Sequence, residues 1–417
     1  MQQALIKTWP VFFGLGMIMI GNGLQGTLLG VRASIEEFSM FMTGFIMSSY
    51  YVGFFIGSLK IPEYVRNVGH IRVFAALASL ASITILIHGI KVDPVTWAIV
   101  RAVSGAAFAG LFIVVESWLN DSATNKTRGM MFGFYLVVTY VGMALGQLLL
   151  NVADPSDIEL FILTSILVTL ALMPISLSVR PAPNVSVSEK IPLSTLWKTS
   201  PLGIFGITLI GFATAALFSI GPIFALEIGL NTSSVTVFMS SFIIGGILLQ
   251  MPVAWLSDRM DRRRIIISLF FASLLAVIFL IVVVYGQLPL YWIYGVMIFL
   301  GGVSLTIYGQ CISHVNDHLQ QSQFVGSAAT LLLMNGVGAM FGPLLVSTLM
   351  QFFGAAGFLA ALVIVFFIMS CFGIYRLRVR ASVPINEQGS TIFTAVPASI
   401  MAVQSTDDIL DGNIHNK

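Results

Sequence analysis

Apolar residues in this chain neither alternate nor keep to one helical face. They run nearly unbroken for about 20 residues at a time, the length an α-helix needs to cross a bilayer. Six such runs lie near 8–30, 41–62, 73–90, 95–118, 130–151 and 158–178, and six more near 201–226, 235–256, 265–285, 290–312, 325–350 and 356–376. Between the sets, Pro181, Pro183, Asn184, Glu189, Lys190 and Lys198 predict a polar linker over 180–200. Residues 381–417 mix Ser, Thr, Pro, Asn, Asp and Gly without a spanning run, which predicts a disordered tail. The expected fold is an all-α integral membrane protein of twelve transmembrane helices in two pseudo-symmetric halves. Its units are bundles over 1–179 and 201–376, a linker over 180–200 and a tail over 377–417.

The two sets look like copies of one unit. Met47-Ser48-Ser49 followed by Gly53 returns 192 positions later as Met239-Ser240-Ser241 followed by Gly245. Asn120-Asp121 and the pair Gly142, Gly146 return 196 positions later as Asn316-Asp317 and the pair Gly338, Gly342. The difference between the offsets is one small gap. Duplicated membrane units of this kind build transporters that hold their substrate between the repeats. The two glycine pairs, spaced G-x-x-x-G, predict close helix contacts, because a missing side chain lets two backbones approach.

Composition agrees with a bilayer environment. Of 417 residues, 57% are hydrophobic and 9% charged, against about 25% charged in soluble domains. A net charge of +2 implies no nucleic-acid partner. Cys311 and Cys371 have no metal-like spacing and read as packing residues. The first apolar run is too long for a cleavable leader and passes directly into the repeated unit. Placing the N-terminus in the cytoplasm puts seventeen of the twenty Lys and Arg residues inside, with Arg32 and Lys91 outside and Arg101 within a span. The positive-inside rule therefore predicts that both termini are cytoplasmic.

Few ionisable residues fall inside spans, where each is costly and seldom kept without a role. Arg101 in the fourth span has two readings: it lines a central cavity, or it snorkels outward to Asp93 or Asp154. Glu116, the only acid within a predicted span, lies about 22 Å further along the same helix at 1.5 Å per residue. It is either a proton-carrying carboxylate or a partner of Arg66, Arg72 or Arg128 near the cytoplasmic end. Asn22, Gln25, Tyr50, Tyr51, Gln147, Thr214, Tyr308, Gln310 and Asn335 are uncharged polar candidates, with interhelical hydrogen bonding as the alternative for each. The loop after the eighth span reads Ala254-Trp255-Leu256-Ser257-Asp258-Arg259-Met260-Asp261-Arg262-Arg263-Arg264. Interleaved acid and base at a helix end can latch neighbouring helices by charge-assisted hydrogen bonds; clustered arginines also simply hold a loop inside. The first-half copy departs from it: at the 192 offset Arg66 faces Asp258, with Glu63 one turn earlier and Arg72 opposite Arg264. The latch candidates are Glu63, Arg66, Arg72, Arg128, Asp258, Arg259 and Arg262.

The 254–264 loop resembles the signature loop of the major facilitator superfamily, roughly G-x-L-x-D-R-x-G-R-R, with Ala254 and Asp261 at its glycine positions. Arg101-Ala102-Val103-Ser104-Gly105 resembles that family's R-x-x-x-G motif. The family's longer glycine–proline motif of span five is interrupted here, since Gln147 follows Gly146. Thr43-Gly44-Phe45-Ile46-Met47-Ser48-Ser49-Tyr50-Tyr51, Val115-Glu116-Ser117-Trp118-Leu119-Asn120 and Thr127-Arg128-Gly129 are similar to its YcaD-like branch of bacterial permeases. The resemblance covers about residues 8–376. It implies a cavity lined by spans one, four, seven and ten, which favours Asn22, Gln25, Arg101 and Thr214 for substrate binding.

No phosphate-cradling, H-E-x-x-H or nucleophile-elbow motif occurs, so no enzyme, cofactor or metal site is expected. The reading is a monomeric secondary active transporter in a bacterial inner membrane, moving a small solute by alternating access with protons as the driving ion. The alternative is a transporter-like sensor that signals through its C-terminal tail.

Overall fold

The computed structural model describes residues 2–123, 127–177, 191–320, 323–379, 383–384, 388–389 and 391, with the side chains of 2–7, 128–129 and 325 outside the description. Its helices are α1 Gln2–Ile35, α2 Met40–Val68, α3 His70–Ile90, α4 Pro94–Ser122, α5 Arg128–Leu148, α6 Glu159–Ser176, α7 Leu193–Thr199, α8 Pro201–Glu227, α9 Thr232–Ser257, α10 Arg262–Tyr285, α11 Leu290–Asn316, α12 Phe324–Phe353 and α13 Ala355–Val379. All but the short α7 are long and apolar enough to span a membrane, twelve among the described residues. Large apolar side chains such as Phe134, Leu145, Phe271, Phe299 and Phe367 stay exposed on the outside. In a bilayer that surface meets lipid at no cost.

The internal repeat is visible in where helices begin. Met40 and Thr232, and His70 and Arg262, start equivalent helices 192 residues apart. Pro94 and Leu290, Arg128 and Phe324, and Glu159 and Ala355 start theirs 196 apart. The gap is therefore local: α10 has 24 residues where α3 has 21, and the turn that follows is one residue longer. Turns are closed by short polar caps. Ser39, Asp93, Asn231 and Asp261 each accept a hydrogen bond from a backbone N–H in the first turn of the helix they precede.

Glycines set the tightest helix pairs, and they do so twice. A Cβ on Gly53 would strike the Ala102 carbonyl and one on Gly105 the Tyr50 carbonyl, so α2 and α4 touch backbone to backbone. The repeat places Gly245 against Ile298 and Gly301 against Phe242 in the same way between α9 and α11. Gly146 meets the Ile20 carbonyl of α1, and Gly338 and Gly342 meet Thr208 and Phe212 of α8. These are the contacts that the G-x-x-x-G spacing predicts.

With twelve spanning helices among the described residues, the start of α1 and the end of α13 lie on one side, called here the termini side. The two six-helix sets, α1–α6 and α8–α13, meet chiefly through α2 with α12, α5 with α9 and α1 with α8. Among the described residues, four hydrogen bonds join the sets, all in the distal half: Phe41 N to Gln351 Oε1 (3.0 Å), Asn151 Nδ2 to Thr236 Oγ1 (3.0 Å), Ser240 Oγ to the Ala144 carbonyl (3.4 Å) and Tyr51 OH with Ser219 Oγ (3.4 Å). Gly44 packs directly on Ser347 and the Pro343 carbonyl in the same region. The distal end of the interface is shut.

Candidate functional site

Beneath that seal lies a central cavity of about 90 Å³ between the two sets. Both contribute: Asn22, Tyr50, Tyr51, Arg101 and Gln147 from the first, Thr214, Ser219 and Asn335 from the second, with Phe54, Phe55 and Phe218 as apolar walls. Gly26 leaves open space where a side chain would stand, while Gly23 and Gly211 bring their helices against Met143 and Asn335. Among the described residues the cavity lining contains no acid and a single cation, Arg101.

Arg101 is placed by its neighbours. Gly105, one turn on, brings α4 against the Tyr50 carbonyl, which sets the Tyr50 ring over the guanidinium with Cζ 4.3 Å from the ring centroid. Arg101 is 5% exposed, and its Nε and Nη1 are buried without an acceptor. The Tyr50 hydroxyl is likewise buried and unpartnered. The snorkelling reading needs Asp93 or Asp154, but Asp93 caps α4 through the Thr96 N–H (2.7 Å) and Asp154 accepts from Ser156. Among the described residues Arg101 has no ion pair.

The remaining polar candidates divide. Asn22 lines the cavity with no hydrogen bond of its own, whereas the Thr214 hydroxyl donates back to the Ile210 carbonyl (2.7 Å). Gln147 bonds Thr27 and the Gly23 carbonyl (3.0 Å), so its amide ties α5 to α1. Gln25 is fully buried away from the cavity, with both amide atoms unpartnered. Glu116 also lies outside the lining. It is fully buried, accepts a hydrogen bond from Tyr135 OH (2.6 Å), and sits close enough to Tyr308 of α11 to act on it electrostatically. The expected set of lining helices needs correction. The tenth span, α11, adds no lining residue, while α2 and α12 line the cavity extensively, because the glycine-mediated seam at Gly44 draws those two helices together across the interface.

A second polar cluster sits on the termini side and is built on Arg262, the first residue of α10. Its side chain is 1% exposed, with Nη1 2.5 Å from Asp317 Oδ1, Nη2 donating to the Gly389 carbonyl (2.6 Å) and Nε to Ser257 Oγ (3.2 Å). Asp258 lies 3.6 Å from Arg262 and accepts from both the backbone and the hydroxyl of Thr391 (2.9 and 2.6 Å). Residues of the C-terminal tail therefore complete this cluster. Burial pushes the Asp317 carboxyl above its usual range, with the Arg262 charge and the Gly389 N–H working against it. For Asp261, burial also acts upward, but hydrogen bonds from Arg263 and the charges of Arg263 and Arg264 outweigh it and hold the carboxyl low. Arg259 stacks on Trp255, Cζ 4.0 Å from the ring centroid, instead of bridging helices.

The first-half counterpart has different chemistry. Glu63, Arg66 and Arg72 are exposed and form no ion pair among the described residues. The residue equivalent to Arg262 is His70, buried at the start of α3 with Nε2 2.9 Å from Ser117 Oγ. The Arg128 side chain lies outside the described residues. Sequence reasoning passed over Asp317 as a mere landmark of the repeat, and it missed the contribution of Gly389 and Thr391. Asn120-Asp121 recurring as Asn316-Asp317 at the ends of equivalent helices was the available signal for the first. For the tail there was none.

Comparison with known proteins places these features in context. The sequence profile of the Major Facilitator Superfamily matches residues 11–333. Proteins described as uncharacterized MFS-type transporter YcaD are 24% identical: the one from Escherichia fergusonii over 83% of this chain and 90% of its own length, and the one from Escherichia coli strain K12 over the same shares. Among solved structures, a mutant of the nucleoside transporter NupG superposes with a TM-score of 0.75 at 12% identity, covering 89% of this chain and 99% of that one. A bacterial homolog to the human lysosomal transporter Spinster, inward-facing and occupied, gives 0.68 at 15% identity over 92% and 99%. At such identities the structural likeness speaks for the fold alone.

Proposed function

The chain belongs to the Major Facilitator Superfamily and is a membrane transporter, and from that premise we propose that it moves a small solute through the central cavity by alternating access. The observation that carries this reading is a cavity lined by both sets and sealed at the distal end by contacts that bridge them. A seal made between two rigid units can open when they rock, and the substrate site then faces the other side. The positive-inside bias supports a cytoplasmic termini side, which would put the seal on the outer side. The Escherichia relatives support a bacterial inner-membrane location. The sequence carries no phosphate-cradling motif, and we take an ion gradient as the driving force. Glu116 is the proton carrier we assign: a buried carboxylate on α4, held by Tyr135 and near Tyr308 of the opposing set, lies where a change in its charge bears on both sets.

Spin labels test alternation without knowledge of the substrate. Lys91 and Gln287 are exposed on the distal turns of the two sets. In a Cys371→Ser background, Lys91→Cys and Gln287→Cys carry the labels, and electron–electron distance measurements in liposomes should resolve a short and a long population. A single invariant distance across pH and lipid conditions would count against alternating access. Proton coupling predicts that pH redistributes the two populations, and that Glu116→Gln removes this response while keeping both. An unchanged pH response in Glu116→Gln ends that assignment.

A further inference from the structure

An arginine inside a membrane protein normally has a carboxylate or a set of carbonyls to meet it, because an uncompensated buried cation is expensive. Among the described residues Arg101 has neither. The Tyr50 ring covers one face of its guanidinium plane, and its Nε and Nη1 have no acceptor. Alongside, Tyr50 OH is buried without a partner, and Asn22 has an uncommitted amide at the cavity wall. Two unspent donors beside each other, both on side chains more than nine-tenths buried, in a lining with no acid, describe a site missing its acceptor. Arginine donors match planar oxyanions in geometry as well as charge.

We propose that the cavity takes a small organic monoanion, its oxyanion held by Arg101 and Tyr50 and its apolar body by Phe54, Phe55 and Phe218. The inference rests on the transporter reading given above. One guanidinium balances one negative charge; a dianion would bring an excess charge into a space with no second cation. The aromatic walls offer apolar contact for the body of the anion, and a cavity of about 90 Å³ favours a small one. The site also explains why an unpaired arginine persists: its partner arrives with the cargo.

The experiment is a thermal-shift titration of the full-length protein in neutral detergent with matched pairs, benzoate against benzamide and hexanoate against hexanamide, together with phenyl phosphate. At least one carboxylate should raise the melting temperature while its amide does not. In Arg101→Gln the half-maximal concentration of that carboxylate should rise about 30-fold or more, the effect of removing one partner of a desolvated charge pair. Arg101→Lys should retain the carboxylate preference at weaker affinity. Amides that stabilise as well as the acids, phenyl phosphate outperforming benzoate, no response to either carboxylate, or an unaltered response in Arg101→Gln would each overturn the proposal. Carboxylate–amide discrimination is read in the unmodified protein, so a variant that fails to fold does not spare it. The Lys91 and Gln287 labels separate this outcome from the wider reading: two distances with no carboxylate response sink the substrate class and leave alternating access standing.

Discussion

At the scale of single residues, Gly105 does as much for the cavity as Arg101. Its missing side chain lets α4 rest on the Tyr50 carbonyl, and that approach lays the Tyr50 ring over the guanidinium. Gly105→Ala should push the helices apart, lowering stability by about 1–3 kcal/mol as overpacking does and drawing Tyr50 off Arg101. Gly133→Ala and Gly295→Ala are controls, because a Cβ at either meets nothing within 4 Å. They should be neutral or slightly stabilising by reducing unfolded-state freedom. Thermal unfolding in detergent compares the three, and a Gly105→Ala protein as stable as the controls would contradict this account of the α2–α4 contact. Arg101 and the glycine spacing were both readable in the sequence, since an in-span charge and a repeated G-x-x-x-G stand out against apolar surroundings. Which polar residue faces the cavity was not readable. Asn22 and Gln25 lie one turn apart, yet only Asn22 reaches the cavity. A helix with lipid on one face and a packed bundle on the other is apolar on both, so periodicity carries little directional information.

At the scale of elements, the repeat was legible because duplicated helices kept the spacing of their starts and their glycine seams, and the structure confines the gap to α10 and its turn. The latch was only half legible. Acid and base interleaved in one loop pointed to Asp258, Arg259 and Arg262, but the deepest pair joins Arg262 to Asp317, 55 residues further on. Proximity of that kind comes from the packing of α10 on α11 and leaves no mark on local composition. The pair makes a distinctive prediction, because both side chains are almost wholly buried, 1% and 2% exposed. Arg262→Met alone leaves a buried carboxylate uncompensated and should cost about 3–5 kcal/mol. Arg262→Met combined with Asp317→Leu removes both charges and should recover most of that loss. Unfolding of the two variants side by side checks this, and a double variant no better than the single one would mean that Arg262 acts through Ser257 and the tail instead.

At the scale of the whole molecule, the hydrogen bonds that join the two sets among the described residues form a seam on the distal side, and the most intimate contact there is Gly44 of α2 against Ser347 and Pro343 of α12. Under the proposed alternating access that contact belongs to the distal-closed state, so its loss should bias the equilibrium between conformations more than it disturbs either set internally. The nearest atoms to a Cβ on Gly44 are all in α12, and a large side chain there therefore destabilises closure specifically. A shift from 1:99 to 99:1 needs about 5.5 kcal/mol of differential stability, and overpacking of about 1–3 kcal/mol is enough to move a balanced equilibrium most of the way. Gly44→Trp should accordingly deplete the short Lys91–Gln287 distance in favour of the long one, with the helical content unchanged. It should also slow any process that passes through the closed state, including release of a carboxylate towards the termini side. Had the seam been a passive packing contact of a static bundle, Gly44→Trp would lower the melting temperature and leave the label distances where they were.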